Sequence, residues 1–255
     1  MSSFTLTSEY KKWTNEAAHR AGLQLLPDQE EKLLDFISHL LDKNQVMDLT
    51  NITAAEDMGI KHLLDSWLLL PFIDKQESKL SQVNHHSSKL SLADVGSGAG
   101  FPGLPLKIAR PQLEVVLFDS QRKRIDFLTE AVEKLEMTGI QAVWMRAEEA
   151  GRDQRFRDSF DIVTARAVAA LPQLVEICLP LVKPGGVFLA MKGQADEEID
   201  SAGSAIKKLS GQLKDIHEYV LPETDMKRSL LVIEKLSPTK PTYPRSFARI
   251  KKNPL

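Results

Sequence analysis

Apolar positions change their period near residue 90. Before it, from residue 8 to about 75, they recur at helical spacing. Leu33, Leu34, Phe36, Ile37, Leu40 and Leu41 share one face, and Pro27 and Asp28 mark where that helix starts. The run from Glu56 to Leu70 predicts a second helix stopped by Pro71, whose ring blocks continuation. Between the two, Met47-Asp48-Leu49-Thr50-Asn51-Ile52-Thr53 reads as a polar turn with capping residues. Residues 76–90, QESKLSQVNHHSSKL, are polar and Ser-rich and read as a linker.

Beyond that linker, short β-rich runs alternate with helix-length segments. Ser91 to Val95, Leu113 to Phe118, Gln141 to Met145, Phe160 to Thr164 and Val187 to Met191 predict strands, and Gln121 to Met137 has helical periodicity. Such alternation implies a parallel sheet covered on both faces. Gln212 to Leu221 and Ser229 to Leu236 are joined by only Pro222-Glu223-Thr224-Asp225, which predicts a hairpin and an antiparallel end to the sheet. The expected organisation is an N-terminal helical region (1–75), a linker (76–90), an α/β domain with a seven-stranded sheet (91–236) and a tail (237–255).

Composition adds limits to this picture. With 42% apolar and 27% charged residues the chain is an ordinary globular protein. The formal net charge of -2 excludes a globally basic binder, yet it hides an asymmetry. Lys235 to Leu255 holds six basic residues and no acidic one, leaving 27 basic against 35 acidic residues before it. Four prolines in that stretch (Pro238, Pro241, Pro244, Pro254) predict an extended arm outside the core, either solvated or touching phosphate. One cysteine, Cys178, and six histidines without close ligand spacing predict neither a disulfide nor a metal site. The longest apolar stretch, Trp67 to Ile73, is interrupted by Pro71, and the first residues lack the apolar core of a signal peptide, so the expected location is the cytoplasm, away from membranes.

The most informative stretch is Asp94-Val95-Gly96-Ser97-Gly98-Ala99-Gly100-Phe101-Pro102-Gly103. Alternating glycines at Gly96, Gly98 and Gly100, at a strand end, let a ligand lie against the main chain, and Pro102 suits the opening of a helix. Just past the second strand, Asp119 offers a carboxylate that can accept two hydrogen bonds from a ribose diol. Together these predict a nucleoside cofactor at the switch point of the sheet. The dinucleotide pattern G-x-G-x-x-G would need a third glycine where Phe101 stands, and no G-x-x-x-x-G-K-[ST] occurs. Asp94 beside the loop would repel a pyrophosphate but suits an ammonium and a sulfonium, which favours S-adenosylmethionine.

Five segments resemble one family closely. DVGSGAGFPGLPLKI, FDSQRKRIDFL, RAEEA, DIVTARAVA and MKGQ are similar to the RsmG family, glucose-inhibited division protein B, which methylates guanine N7 in 16S ribosomal RNA. Upstream, KHLLDSW resembles that family's HxxDS segment, so the likeness runs from about residue 47 to 236. One departure is Asp48-Leu49-Thr50, where the family has Asn-Leu-Thr. The resemblance implies a Rossmann-like class I methyltransferase fold with S-adenosylmethionine as cofactor. It implies Gly96 and Phe101 at the methionine side and over the loop, Asp119 with Ser120 and Gln121 at the ribose, Ala147 and Glu148 at the adenine, and Arg166 beside the methyl-transfer position.

The residues also separate reaction types. Thr164-Ala165-Arg166-Ala167 lacks the Asn- or Asp-Pro-Pro-aromatic pattern common to amine methylation, and Cys178 in an apolar helix reads as a small hydrophobe rather than the nucleophile that cytosine C5 methylation needs. Guanine N7 carries an in-plane lone pair and needs no general base. Arg166 would then hold guanine O6 or a phosphate, or alternatively pair with Asp161 or a nearby acid; Lys192 is a second candidate for base or phosphate, or else snorkels at a helix start. Arg122, Lys123 and Arg124, then Arg146, Arg152, Arg155 and Arg157, and the tail offer positive surface for RNA. Because N7 in paired RNA faces a deep, narrow groove, the enzyme should require an exposed loop base or a partly assembled ribosomal substrate, and the resemblance implies 16S RNA, in the 30S subunit or an assembly intermediate, as the partner. Alternatives are methylation of another RNA position or a small molecule, and an assembly factor that keeps the cofactor fold without turnover.

Overall fold

A computed structural model describes residues 6–83 and 89–255. Seven strands form one sheet: β1 (Ser91–Val95), β2 (Glu114–Asp119), β3 (Ile140–Trp144), β4 (Phe160–Arg166), β5 (Val182–Lys192), β6 (Gly211–Val220) and β7 (Lys227–Lys235). Their order is β3-β2-β1-β4-β5-β7-β6, with β1 to β5 parallel and β7 antiparallel to both β5 and β6. The order reverses between β1 and β4, where open α/β sheets bind ligands at the strands' carboxyl ends. Successive strand residues feed two cores: Leu92, Leu117 and Ile162 enter one, Ala93, Phe118 and Val163 the other. The doubly covered parallel sheet with an antiparallel end therefore stands as the alternation implied.

The first core is closed by α1 (Ser8–Arg20), α2 (Pro27–Met47), α5 (Leu70–Val83), α6 (Gly103–Ala109) and α7 (Arg122–Lys134). Between α2 and α5 run α3 (Ala55–Asp57), a π-helix (Met58–Leu64) and α4 (Asp65–Trp67). The second core takes α8 (Ala147–Ala150), α9 (Leu171–Cys178) and α10 (Asp196–Lys208). Since Phe36, Trp67 and Leu117 belong to one apolar cluster, the N-terminal helices are the lid of the sheet's first face rather than a separate unit. Among the described residues no helix is long and apolar enough to cross a membrane.

Two expectations change. Pro71 opens α5 instead of ending a helix, because a proline in the first turn forgoes an N–H that would have no intrahelical partner. The polar stretch from residue 76 is accordingly helical up to Val83, and its polar side chains tie α5 to the sheet: Gln76 Nε2 donates to Gly185 O (2.9 Å) and Lys79 Nζ pairs with Glu234 (2.9 Å). The rest of that expected linker falls mostly outside the described residues.

The second change concerns the tail, which packs on the body and ends in α11 (Phe247–Lys252) with Ile250 fully buried. Prolines removed donors, as expected, but their neighbours' carbonyls accept from body arginines. Arg157 donates to Thr239 O (2.6 Å) and Tyr243 O (2.8 Å), and Arg152 to Pro244 O (2.7 Å). Arg245 grips Glu176, a carboxylate with no exposure, through Nε (2.8 Å) and Nη2 (2.6 Å). Lys235, also fully buried, shares its three N–H groups among Asp158, Thr239 and two carbonyls.

Candidate active site

The glycine loop folds back over β2, with Gly96 N and Ser97 N both donating to Phe118 O (2.8 and 3.0 Å). Gly96 has φ +72°, and a Cβ there would sit 2.6 Å from Val168 Cγ2, so the loop and the chain after β4 touch at a point only glycine allows. Asp119 organises the loop from the other side. Its Oδ1 accepts from Gln121 N (2.8 Å), its Oδ2 from Gly98 N (3.0 Å), and Arg124 Nη1 lies 3.4 Å from Oδ2. Gly98 and Gln121 thus act through their backbone N–H groups on this carboxylate.

A cavity of about 200 Å³ opens between these elements, lined by Gly96, Asp119, Ser120, Arg146, Ala147, Glu148, Val168 and Phe247 among others. Gly96, Asp119, Ser120, Ala147 and Glu148 therefore come together as expected. Phe101 does not join them. Its ring is buried against Phe36 (5.4 Å between centroids) and stacks on His62 (4.1 Å, 4° between planes), so it supports the neighbouring site from beneath.

That neighbouring site is a second cavity, about 350 Å³, bounded by Ile52, Lys61, His62, Asp65, Arg166, Ala167, Met191, Lys192, Met226 and Arg228. Ala167 faces it while Val168 faces the first cavity, so the β4 loop divides the two. The wide π-helical turn brings His62 and Asp65 onto Arg166 together. Arg166 Nη1 donates to Lys61 O (3.0 Å) and Asp65 Oδ2 (3.1 Å), and Nη2 to His62 Nδ1 (2.9 Å). An arginine only donates, so Nδ1 is the acceptor and the His62 proton sits on Nε2, donating to Thr50 Oγ1 (3.0 Å). Burial, reinforced by Arg166, pushes the His62 pKa down to about 3. Asp65 is engaged further by the Tyr219 hydroxyl (3.1 Å).

Arg166 therefore pairs with a nearby acid, Asp65, and not with Asp161, which is held by Lys183 and Ser91 on another edge. Lys192 lines the second cavity while donating to Ala169 O and Glu198 Oε2 (both 2.9 Å), which is more than snorkelling. His62 and Asp65 escaped assignment from sequence, although both lie in the HLLD stretch of KHLLDSW. Cys178 is free and buried, and burial raises its thiol pKa, in keeping with a small hydrophobe.

The donor set fits S-adenosylmethionine. Asp94 is fully buried under the loop; Oδ2 accepts from Gly103 N (3.0 Å), whereas Oδ1 has no hydrogen-bond partner. Burial raises its pKa to about 7, opposed by the bonds it accepts and by Arg166. Asp94 lies behind the loop and lines neither cavity, whereas Asp119 lines the first one and keeps acceptor capacity for a diol.

The positive surface is smaller than the sequence suggested. Arg152 and Arg157 fasten the tail, Arg155 pairs with Asp153 (2.6 Å), Arg124 faces Asp119, and Arg146 lies over the Phe247 ring (5.3 Å). Arg122 pairs with Asp126 (2.9 Å), so the exposed cations that remain in these clusters and the tail are Lys123, Lys240, Arg249, Lys251 and Lys252.

A family model described as GidB, rRNA small subunit methyltransferase G, matches residues 29–228. The ribosomal RNA small subunit methyltransferase G of Acetivibrio thermocellus is 42% identical over 245 residues, 96% of each chain. That of Caldicellulosiruptor bescii is 43% identical over 224 residues, 88% of this chain and 91% of its own. Among solved structures, a mutant 16S rRNA (adenine(1408)-N(1))-methyltransferase from Catenulisporales acidiphilia overlays with a TM-score of 0.49 at 17% identity, covering 67% of this chain and 92% of that one. With matches of this length and identity, the chain belongs to the rRNA small subunit methyltransferase G family of S-adenosylmethionine-dependent methyltransferases.

Proposed function

We propose that this protein transfers a methyl group from S-adenosylmethionine to N7 of a guanine in 16S ribosomal RNA, in the cytoplasm, on the 30S subunit or an assembly intermediate. The observation that carries this reading is the second cavity: its histidine is neutral and bonded at both nitrogens, and its aspartate is held by Arg166 and Tyr219. Among the described residues that line it, none is a free general base. Guanine N7 loses no proton on methylation, so such a site suffices for it, whereas amine methylation must discharge a proton.

The cofactor, when bound, supplies an electrophilic methyl on a sulfonium. Asp119 and Ser120 hold the ribose, with Gln121 and Gly98 steadying the Asp119 carboxylate. Gly96 lets the main chain approach, and Ala147 and Glu148 border the adenine. Arg166 keeps Nε–H and one Nη2–H after its three contacts, and Lys192 keeps one of three N–H groups; both can reach guanine O6 or a phosphate at the cavity rim. Their neighbours hold them still, so the base meets a preorganised site and the rate gain comes from alignment. Ile52, Met191 and Met226 offer apolar surface to the purine faces. The exposed cations of α7 and α11 would meet the RNA backbone.

A methylation assay with labelled S-adenosylmethionine on naked 16S RNA, 30S particles and total tRNA tests the reading. Label at guanine N7 in 16S RNA, and none in tRNA, is expected. Binding of cofactor without transfer to any small-subunit substrate would point to the assembly-factor alternative.

A further inference from the structure

We propose that Phe247, on the C-terminal helix α11, is the adenine-facing wall of the cofactor cavity, which makes the basic tail a determinant of cofactor affinity. This rests on the reading of that cavity as the S-adenosylmethionine site. Phe247 shares the cavity with Arg146, Ala147 and Glu148, which leave the end of β3, the side expected to border the adenine. It is therefore at the base end, with Asp119 and Ser120 at the ribose end.

The helix is fixed by anchors that do not involve the cavity. Ile250 enters the second core with no exposure, and Arg245 makes its two-pronged bond to the buried Glu176 while Nη2 also donates to Asn253 O (2.9 Å). Phe247 is the exception on this helix, a large apolar side chain left 37% exposed. Arg146 lies over its ring at 5.3 Å, so the aromatic plane is oriented, yet the ring still borders open cavity. Binding to phosphate alone would not call for an aromatic there. An adenine would cover it, and base–aromatic contact is a sequence-independent source of affinity because the purine presents a π-face. The neighbouring Lys251 and Lys252 are exposed and outside the cavity walls, which separates the helix's charge from its pocket-facing ring.

Calorimetric titration of the full-length protein with S-adenosylhomocysteine tests the proposal. Phe247→Ala is expected to weaken binding about tenfold. Phe247→Tyr should restore it, and the paired change Lys251→Ala and Lys252→Ala should leave cofactor affinity as it was. In methylation of the ribosomal substrate, Phe247→Ala should raise KM for S-adenosylmethionine with kcat little changed. If Phe247→Ala binds like the wild type while Asp119→Asn binds poorly, the wall is misassigned and the cofactor site stands. An equal loss in the double lysine variant would overturn the proposal in favour of a charge effect. Failure of the wild type to bind S-adenosylhomocysteine would overturn the reading of the cavity itself, and this proposal with it.

Discussion

Replacing Asp119 by Asn keeps the shape of the side chain and turns one acceptor oxygen into a donor. In the folded chain both oxygens are already in use, Oδ1 by Gln121 N at 2.8 Å and Oδ2 by Gly98 N at 3.0 Å, with Arg124 a longer contact at 3.4 Å. Each carboxylate oxygen accepts about two hydrogen bonds. One place per oxygen is therefore left for a ribose hydroxyl once the Arg124 contact yields. Whichever way the amide of Asn turns, its N–H meets a backbone N–H, so the variant loses one loop bond and can accept only one hydroxyl. A hydrogen bond to a charged acceptor contributes about 1.5–3 kcal/mol, which translates to roughly tenfold to a hundredfold weaker cofactor binding. Calorimetry with S-adenosylhomocysteine reads this directly, and a thermal melt establishes that the variant is folded. Affinity within about twofold of wild type in a folded variant would refute the role given to Asp119.

Three further outcomes follow from buried or closely packed groups. Asp94 keeps its proton in the folded chain up to about pH 7 but releases it near 3.8 when unfolded, so its contribution to stability is lost as pH rises between those values. His62, lowered to about 3, acts oppositely and its contribution is lost as pH falls below 6.5, so the unfolding free energy of Asp94→Asn relative to wild type, read by urea denaturation, isolates Asp94 and should climb from pH 4 to 7, by up to about 1.4 kcal/mol per pH unit; a flat difference refutes it. Glu176→Gln leaves Arg245 without its counter-ion and should cost about 2 kcal/mol in urea denaturation, below the usual figure for a buried pair because the Arg245 side chain is 21% exposed. An unchanged midpoint would show that the ion pair does not hold the tail. Gly96→Ala should abolish cofactor binding, since φ is +72° and the methyl would meet Val168 Cγ2 at 2.6 Å; Val168→Ala should partly rescue it, and normal binding by Gly96→Ala alone would contradict the close approach.

The sheet was legible because strands buried on both faces are written as nearly continuous apolar runs, as in Val115 to Phe118. That the glycine loop and Asp119 would meet was legible because a strand end, glycines and an acid recur at fixed offsets in nucleoside-binding α/β sheets. What stayed hidden depends on contacts between distant residues. Pro71 has the same ring whether it ends a helix or begins one, and only the packing of α5 on the sheet decides. Arg157 and Arg152 look like RNA ligands until the carbonyls of the tail, more than 80 residues away, are seen to take their N–H groups. His62 and Asp65 look unremarkable in a helical stretch, because the π-helical turn that aims them at Arg166 has no compositional signature.

The placement of Phe247 also orders events during synthesis. A ribosome releases the glycine loop, Asp119 and the end of β3 long before α11, and domains fold as their segments emerge. A growing chain can therefore display the loop that would hold a nucleoside while one side of the cavity is still untranslated. The side of the cavity that Phe247 lines can form only after residue 247 has been made and Arg245 has reached Glu176. If Phe247 is that wall, a chain not yet translated through the tail would hold the cofactor about tenfold more weakly than the finished one, the same factor expected of Phe247→Ala.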